Sequence, residues 1–247
     1  MRKILLSLFA VFVCASPAFA QMSGSGQSYN SGMDELFTAN PVFSATMQTV
    51  INGPQGTMNV TSTMVYDHGN SRSEMNMANV SGPNLPPNAA AQMKALGMDV
   101  VVTIATTAKT NIVTIYPNLK AYVSTALPPS AANTAKPDVQ ITKLGNDTVA
   151  GHPCVKNKVT VTEDGQAHEF TAWNATDLNN FPVQISIAEQ GMSATMTYQN
   201  VSFGNVSTSQ FRPPSGFKNY DSIPELMQAA MASRAGGAGA APVPPRQ

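Results

Sequence analysis

The stretch TVAGHPCVKNKV, residues 148–159, sets His152 two residues before Cys154. An imidazole and a thiol can make a base and its nucleophile, or two ligands of a metal ion. On a strand, residues i and i+2 share a face, so the two side chains would approach each other. Pro153 between them interrupts a regular ladder at that point. A reactive cysteine needs a cationic setting or a helix N-terminus to lower its pKa. Here a Gly-His-Pro-Cys turn leads straight into the strand VKNKVTV, and a His/Cys pair without a third ligand nearby is a weak metal signal. Packing is the simpler role for Cys154, and an unreactive thiol is the expectation. His68 and His168 adjoin Asp67 and Glu169, but adjacent strand residues point to opposite faces, so spacing alone makes neither pair a dyad. G-x-S-x-G, H-E-x-x-H, phosphate-loop and dinucleotide motifs are all missing. The expectation is a non-enzymatic protein, with no catalytic residue and no cofactor assigned.

Methionine carries more information. Several methionines recur on the apolar side of period-two segments: Met47, Met58, Met64 (with Tyr66), Met75, Met77, Met192 and Met196. Methionine is flexible and polarizable, so a surface built of it can mould to varied apolar ligands, and it fills ordinary cores equally well. Thioethers also suit Cu(I), and Met75 and Met77 form a Met-x-Met pair, although dense Met/His clustering is missing. No metal site is assigned. Together with Met93 and Leu96, discussed below, these residues are the candidate lining of an apolar cavity.

The elements that would position them follow an export signal. MRKILLSLFAVFVCASPAFAQ has two basic residues, an apolar run and an A-x-A step, which predicts a secretory signal over 1–20, and the apolar run is too short for a membrane span. Val13 before Cys14 argues against lipid anchoring. Removing Arg2 and Lys3 leaves 12 basic residues against 14 acidic, a formal charge of −2, which offers no basic patch for nucleic acid. Cys154 would then be the one cysteine of the mature chain, so the fold relies on its core and not on an internal disulfide. Residues 21–36, rich in Gly, Ser and Gln, predict a flexible leader.

Beyond Leu36 the dominant pattern is alternation. VFSATMQTVI sets Phe43, Ala45 and Met47 against Ser44, Thr46 and Gln48, and TMNVTSTMVYD repeats the pattern. Roughly ten strands separated by short turn signals such as DHGN and EDGQ predict an all-β meander that closes or curls around something. Two helices interrupt it. Asn88 to Gly97 has a proline entry, an Ala/Met/Leu body and a glycine exit, and Met93 and Leu96 would make it a lid over the methionine strands. Ser222 and Glu225 form a capping box that opens an amphipathic helix over about 223–233. The final Ala/Gly/Pro run predicts a disordered tail.

YDHGNSRSEM, TIYPNLKAYV, KLGNDTVAGHPCVKNKV, FTAWNATDLNNFPVQI and MTYQNVSFGNVSTSQFRPPSGF together resemble the exported bacterial family called domain of unknown function 4412. The Gly-His-x-Cys step and the run Trp173, Ala175, Asp177, Leu178, Phe181, Pro182 are the most specific pieces. That family is similar in turn to the lipoprotein carriers typified by LolA and LppX. The resemblance implies a mainly β, strongly curved antiparallel half-barrel over 37–217, with one or two short helices covering the concave face and 218–247 as helix and tail. It also implies a bacterial periplasmic carrier for an apolar ligand, a lipid or lipoprotein acyl chain, in transient contact with the membrane or envelope proteins. Two alternatives stay open: an envelope interaction module whose concavity is filled by its own side chains, and a Cu(I)-binding protein.

Overall fold

The computed structural model of the protein describes residues 35–54, 56–106, 111–126, 138–163, 166–189 and 191–237. The signal expected over 1–20, most of the leader and the last ten residues of the tail lie outside them. In chain order the strands are β1 (Val42–Gly53), β2 (Gly56–Asp67), β3 (Asn70–Ser81), β4 (Val100–Ala105), β5 (Asn111–Tyr116), β6 (Ala121–Ala126), β7 (Asp138–Val149), β8 (His152–Glu163), β9 (Gln166–Ala175), β10 (Phe181–Glu189), β11 (Met192–Phe203) and β12 (Lys218–Tyr220). Helix α1 (Ala89–Leu96) lies between β3 and β4, and α2 (Ile223–Gly237) follows β12.

Among the described residues twelve strands form one sheet, in the order β12-β6-β5-β4-β3-β2-β1-β11-β10-β9-β8-β7. It is two antiparallel meanders, β1 to β6 and β7 to β11, joined where β1 pairs with β11. The sheet is curved and open, with β12 and β7 as its edges, as the expected half-barrel requires. Register shifts at Ser44/Thr46, Val60/Ser62, Lys143/Gly145 and Pro182/Gln184 supply local bends, because an extra residue on one strand increases twist and bends it.

Local chemistry sets the tight hairpins. His68 and Gly69 (φ 47° and 86°) join β2 to β3, and Ala150 and Gly151 (φ 51° and 88°) join β7 to β8. Two successive left-handed residues make the turn whose twist matches the flanking strands. Gly56 is favoured on two counts: its φ is 106°, and a Cβ there would stand 2.6 Å from Pro83 Cγ, so that a larger residue would be strained and would force a shift.

Helix α1 ends as its glycine predicts. Gly97 is left-handed at φ 71°, and the Gly97 and Met98 amides donate to the Lys94 and Met93 carbonyls, satisfying groups the helix end would otherwise leave unpaired. At α2, the Glu225 amide donates to Ser222 Oγ, whereas the Glu225 carboxylate accepts from the Asp221 amide, one residue earlier than a capping box would have it.

Apolar residues collect in three clusters. An aromatic core holds Phe37, Phe43, Tyr66, Phe181 and Tyr198 together with Val159, Phe170 and Ile185 from β8, β9 and β10. A second core joins Met77, Met93, Met98, Tyr116, Val123 and Leu226 beneath both helices. A third, smaller one sets Phe211 against Val102, Ile104 and Ile115 on the opposite face of β4 and β5. Leu36 is a core residue, and β12 extends the sheet by pairing in parallel with β6. Each cluster needs side chains from beyond the period-two region to close it, and short flanking segments supply them.

Candidate functional site

Directly paired residues of an antiparallel sheet share a face, so the register traces one surface across the molecule. Met75 pairs with Ser62, Ser62 with Met47, and Met47 with Tyr198. Ala45 pairs with Met64, Thr49 with Met196, and Met196 with Ile185. The same face continues through Ala172, which pairs with Ile185, to Phe170 and its partner Val159. Between the methionines the floor is made of small side chains, Ala45, Thr49, Ser62 and Ser73.

Eight of the ten residues expected to line an apolar cavity divide between two cores. Met47, Met64, Tyr66 and Met196 pack with the aromatic core, and Met75, Met77, Met93 and Leu96 with the helix-covered one. Met58 and Met192 lie on the same face, nearer the β1–β2 and β10–β11 hairpins. Exposure separates them further. Tyr66, Met77 and Met93 are only 5%, 8% and 6% exposed, so in the ligand-free fold they are packed into the cores. Met47, Met58, Met64, Met75, Met192 and Met196 are half-buried. Helix α1 rests on the methionine-bearing strand β3, with Met93 in the cluster of Met77 and with Met75 and Leu96 packed against it. A helix with a short apolar stripe docks where its connecting loops are short, beside the strand it follows.

The His152–Cys154 motif resolves into two unrelated contacts. Cys154 is free and buried, and its thiol donates to the backbone oxygen of His152 at 3.3 Å. Burial raises its pKa. The His152 ring turns to Asp177 instead, Nδ1 to Oδ2 at 2.9 Å, across the turn that follows β9. A protonated, enclosed thiol reacts slowly. Labelling of the native protein with a maleimide at neutral pH is expected to be slower than that of the denatured chain by roughly a hundredfold or more. Equal rates would overturn the packing role.

Other pairings depart from simple alternation. His68 Nδ1 and Asp67 Oδ1 are 2.6 Å apart, because His68 leaves the strand for a left-handed turn. Glu169 pairs with Lys158 Nζ on β8 at 2.6 Å. Beside the Cys154 strand, Trp173 Nε1 donates to Asp147 Oδ2 at 3.0 Å and Lys156 Nζ lies 5.1 Å from the Trp173 ring. The indole and the Thr148 amide hold the Asp147 carboxyl below its usual pKa. Among the described residues no three His, Cys, Asp or Glu side chains are grouped to hold a metal. Met75 and Met77 on β3 are separated from His152 and Cys154 on β8 by β2, β1, β11, β10 and β9 in the sheet.

One residue of this face escaped the sequence reading. Tyr198 continues the alternation of Met192, Ala194 and Met196, and it stands where the methionine stripe meets the aromatic core. It is 1% exposed, and its hydroxyl is the one buried side-chain oxygen or nitrogen, among the described residues, without a hydrogen-bond partner.

A family model described as domain of unknown function (DUF4412) matches residues 43–181. No curated protein matches the sequence. Among solved structures the chain is similar to LprF from Mycobacterium bovis, at 15% identity over 74% of this chain and 95% of that one, with a TM-score of 0.36. It is similar also to a LolA superfamily protein from Nitrosomonas europaea, at 10% identity over 76% and 96%, TM-score 0.36. The third is the lipoprotein LppX from Mycobacterium tuberculosis, at 11% identity over 73% and 95%, TM-score 0.40.

Proposed function

Because the chain belongs to the family of domain of unknown function DUF4412, whose description carries no activity, we propose a function from the geometry of its sheet: a non-enzymatic periplasmic binding or carrier protein for an apolar ligand, a lipid or lipoprotein acyl chain. The observation that carries this reading is the stripe of half-buried methionines on the adjoining strands β11, β1, β2 and β3, floored by small residues. Ordinary cores bury their methionines, as this protein does with Met77, Met93 and Met98. A contiguous apolar strip left in reach of solvent has the character of a binding surface, and thioether side chains adapt to a chain of variable length and unsaturation. Each CH₂ laid against it would contribute about 0.8 kcal/mol before ordering costs.

A second reading rests on the aromatic core. Phe43, Phe181 and Val159 are fully buried, and Phe37 closes over them, so the concavity is filled at that end and the protein would serve as an envelope interaction module. Titration of the delipidated protein with a fluorescent fatty-acid analogue separates the two. The carrier reading expects saturable binding that Met64→Lys with Met196→Lys weakens by roughly tenfold or more, because a buried-side cation must be desolvated wherever a chain lies against it. The β-sheet circular dichroism should stay unchanged. A wild-type protein that binds no such probe, and carries no lipid in native mass spectrometry after purification from the periplasm, would leave the module reading in place.

A further inference from the structure

We propose that the Tyr198 hydroxyl is the polar anchor of the binding face, donating a hydrogen bond to the neutral carbonyl of an acyl ester or amide whose hydrocarbon chain lies along the methionine stripe. The inference rests on the carrier reading above and names the ligand's chemical class. Tyr198 on β11 pairs directly with Met47 on β1 and lies two residues from Met196 on the same face. Its ring is enclosed by Phe37, Phe43 and Phe181, at centroid distances of 5.9, 6.3 and 5.7 Å. Such a cage offers its hydroxyl no acceptor, and none of the described side chains or backbone groups provides one. A buried hydroxyl without a partner is costly, and phenylalanine would fill the same space without that cost. The residue therefore makes sense with an acceptor brought from outside the chain.

The surroundings choose the acceptor. Aromatic rings and methionines would disfavour a carboxylate or phosphate, because burying an unpaired charge there costs far more than one hydrogen bond returns. A neutral carbonyl needs one donor and carries a hydrocarbon chain on one side, which matches one hydroxyl beside an apolar stripe. Burial also raises the Tyr198 pKa, so the group keeps its proton at any physiological pH. Phe37 comes from the segment before β1 and not from the sheet, so it is the ring whose movement would admit the carbonyl.

The test compares neutral sixteen-carbon lipids on the delipidated, full-length protein. Palmitoylglycerol and hexadecylglycerol carry the same chain and headgroup, but only the ester has a carbonyl. Wild type is expected to bind the ester about tenfold more tightly than the ether, and Tyr198→Phe to lose that preference while still binding both, as the loss of one neutral hydrogen bond requires. Isotope-edited infrared spectra should show the carbonyl stretch of labelled ester shifted to lower frequency on wild type and unshifted on Tyr198→Phe. N-palmitoylethanolamine, with an amide carbonyl, distinguishes the two sources: preference for it over the ester points to an N-acylated protein terminus, and the reverse to a glycerolipid. Equal binding of ester and ether by wild type would overturn the anchor while leaving the carrier reading standing, as it would if the hydroxyl held only an ordered water. Failure of all three lipids to bind would overturn both.

Discussion

Phe37→Ala is expected to destabilise the protein by about 3–5 kcal/mol, the usual range for emptying a phenylalanine site in a core. Phe37 is 1% exposed, and its ring lies 4.8 Å from Phe43, 5.1 Å from Tyr66, 5.7 Å from Phe181 and 5.9 Å from Tyr198. Those four neighbours stand on β1, β2, β10 and β11, whose backbones are tied by their ladders and cannot close in on the void. The segment carrying Phe37 is itself clasped to the turn after β9. Asn40 Nδ2 donates to the Asn179 carbonyl at 3.1 Å, while Asn179 Nδ2 donates to the Asn40 side-chain oxygen at 3.2 Å and to the Ala39 carbonyl at 3.3 Å. The clasp orders the ring in the ligand-free protein, so a ligand that reaches Tyr198 must displace it against this packing. In thermal unfolding the loss should lower the midpoint by roughly 10 °C, at about 2–4 °C per kcal/mol for a domain of this size. A change within 1 °C would show that Phe37 rests on the core without filling it, and would favour a freely displaceable cover over the binding face.

The second large effect is expected at the other end of the chain. Leu226→Ala should cost about 2–5 kcal/mol, although Leu226 lies beyond the region where alternation marks the sheet. It is 1% exposed and shares a core with Met77, Met93, Met98, Tyr116 and Val123. Helix α2 is brought there by β12, whose three residues pair in parallel with the start of β6, with the Lys218 amide donating to the Lys120 carbonyl at 2.9 Å. A chain ending at Phe217 would lose both, exposing Tyr116 and Val123, and should unfold at lower denaturant concentration than Leu226→Ala itself. Chemical denaturation followed by circular dichroism checks both. If the shortened chain were as stable as the full one, α2 would be an appendage and the domain would end where its period-two pattern does.

These two predictions mark where local reading stops. The alternation of Phe43, Ala45 and Met47, or of Met58, Val60, Met64 and Tyr66, assigns each residue to a face because side chains on a strand alternate with period two. The pairs His68–Gly69 and Ala150–Gly151 make hairpins by conformations available within a few residues, and Gly97 ends α1 in the same way. Strands, turns, both helices and the alternation of apolar faces were therefore legible in the sequence. Distant pairing was not. That β1 meets β11, or that β12 joins β6 in parallel, depends on which apolar faces can be buried together, a free energy gained between segments far apart in the chain and invisible to any short window. The same holds for the candidate site. Sequence could list its methionines, but only the packed sheet separated Met77 and Met93, which fill cores, from Met64 and Met196, which remain half-buried. Only packing made an orphan of the Tyr198 hydroxyl, because an oxygen lacks a partner through the company of every ring around it and not through its own place in the chain.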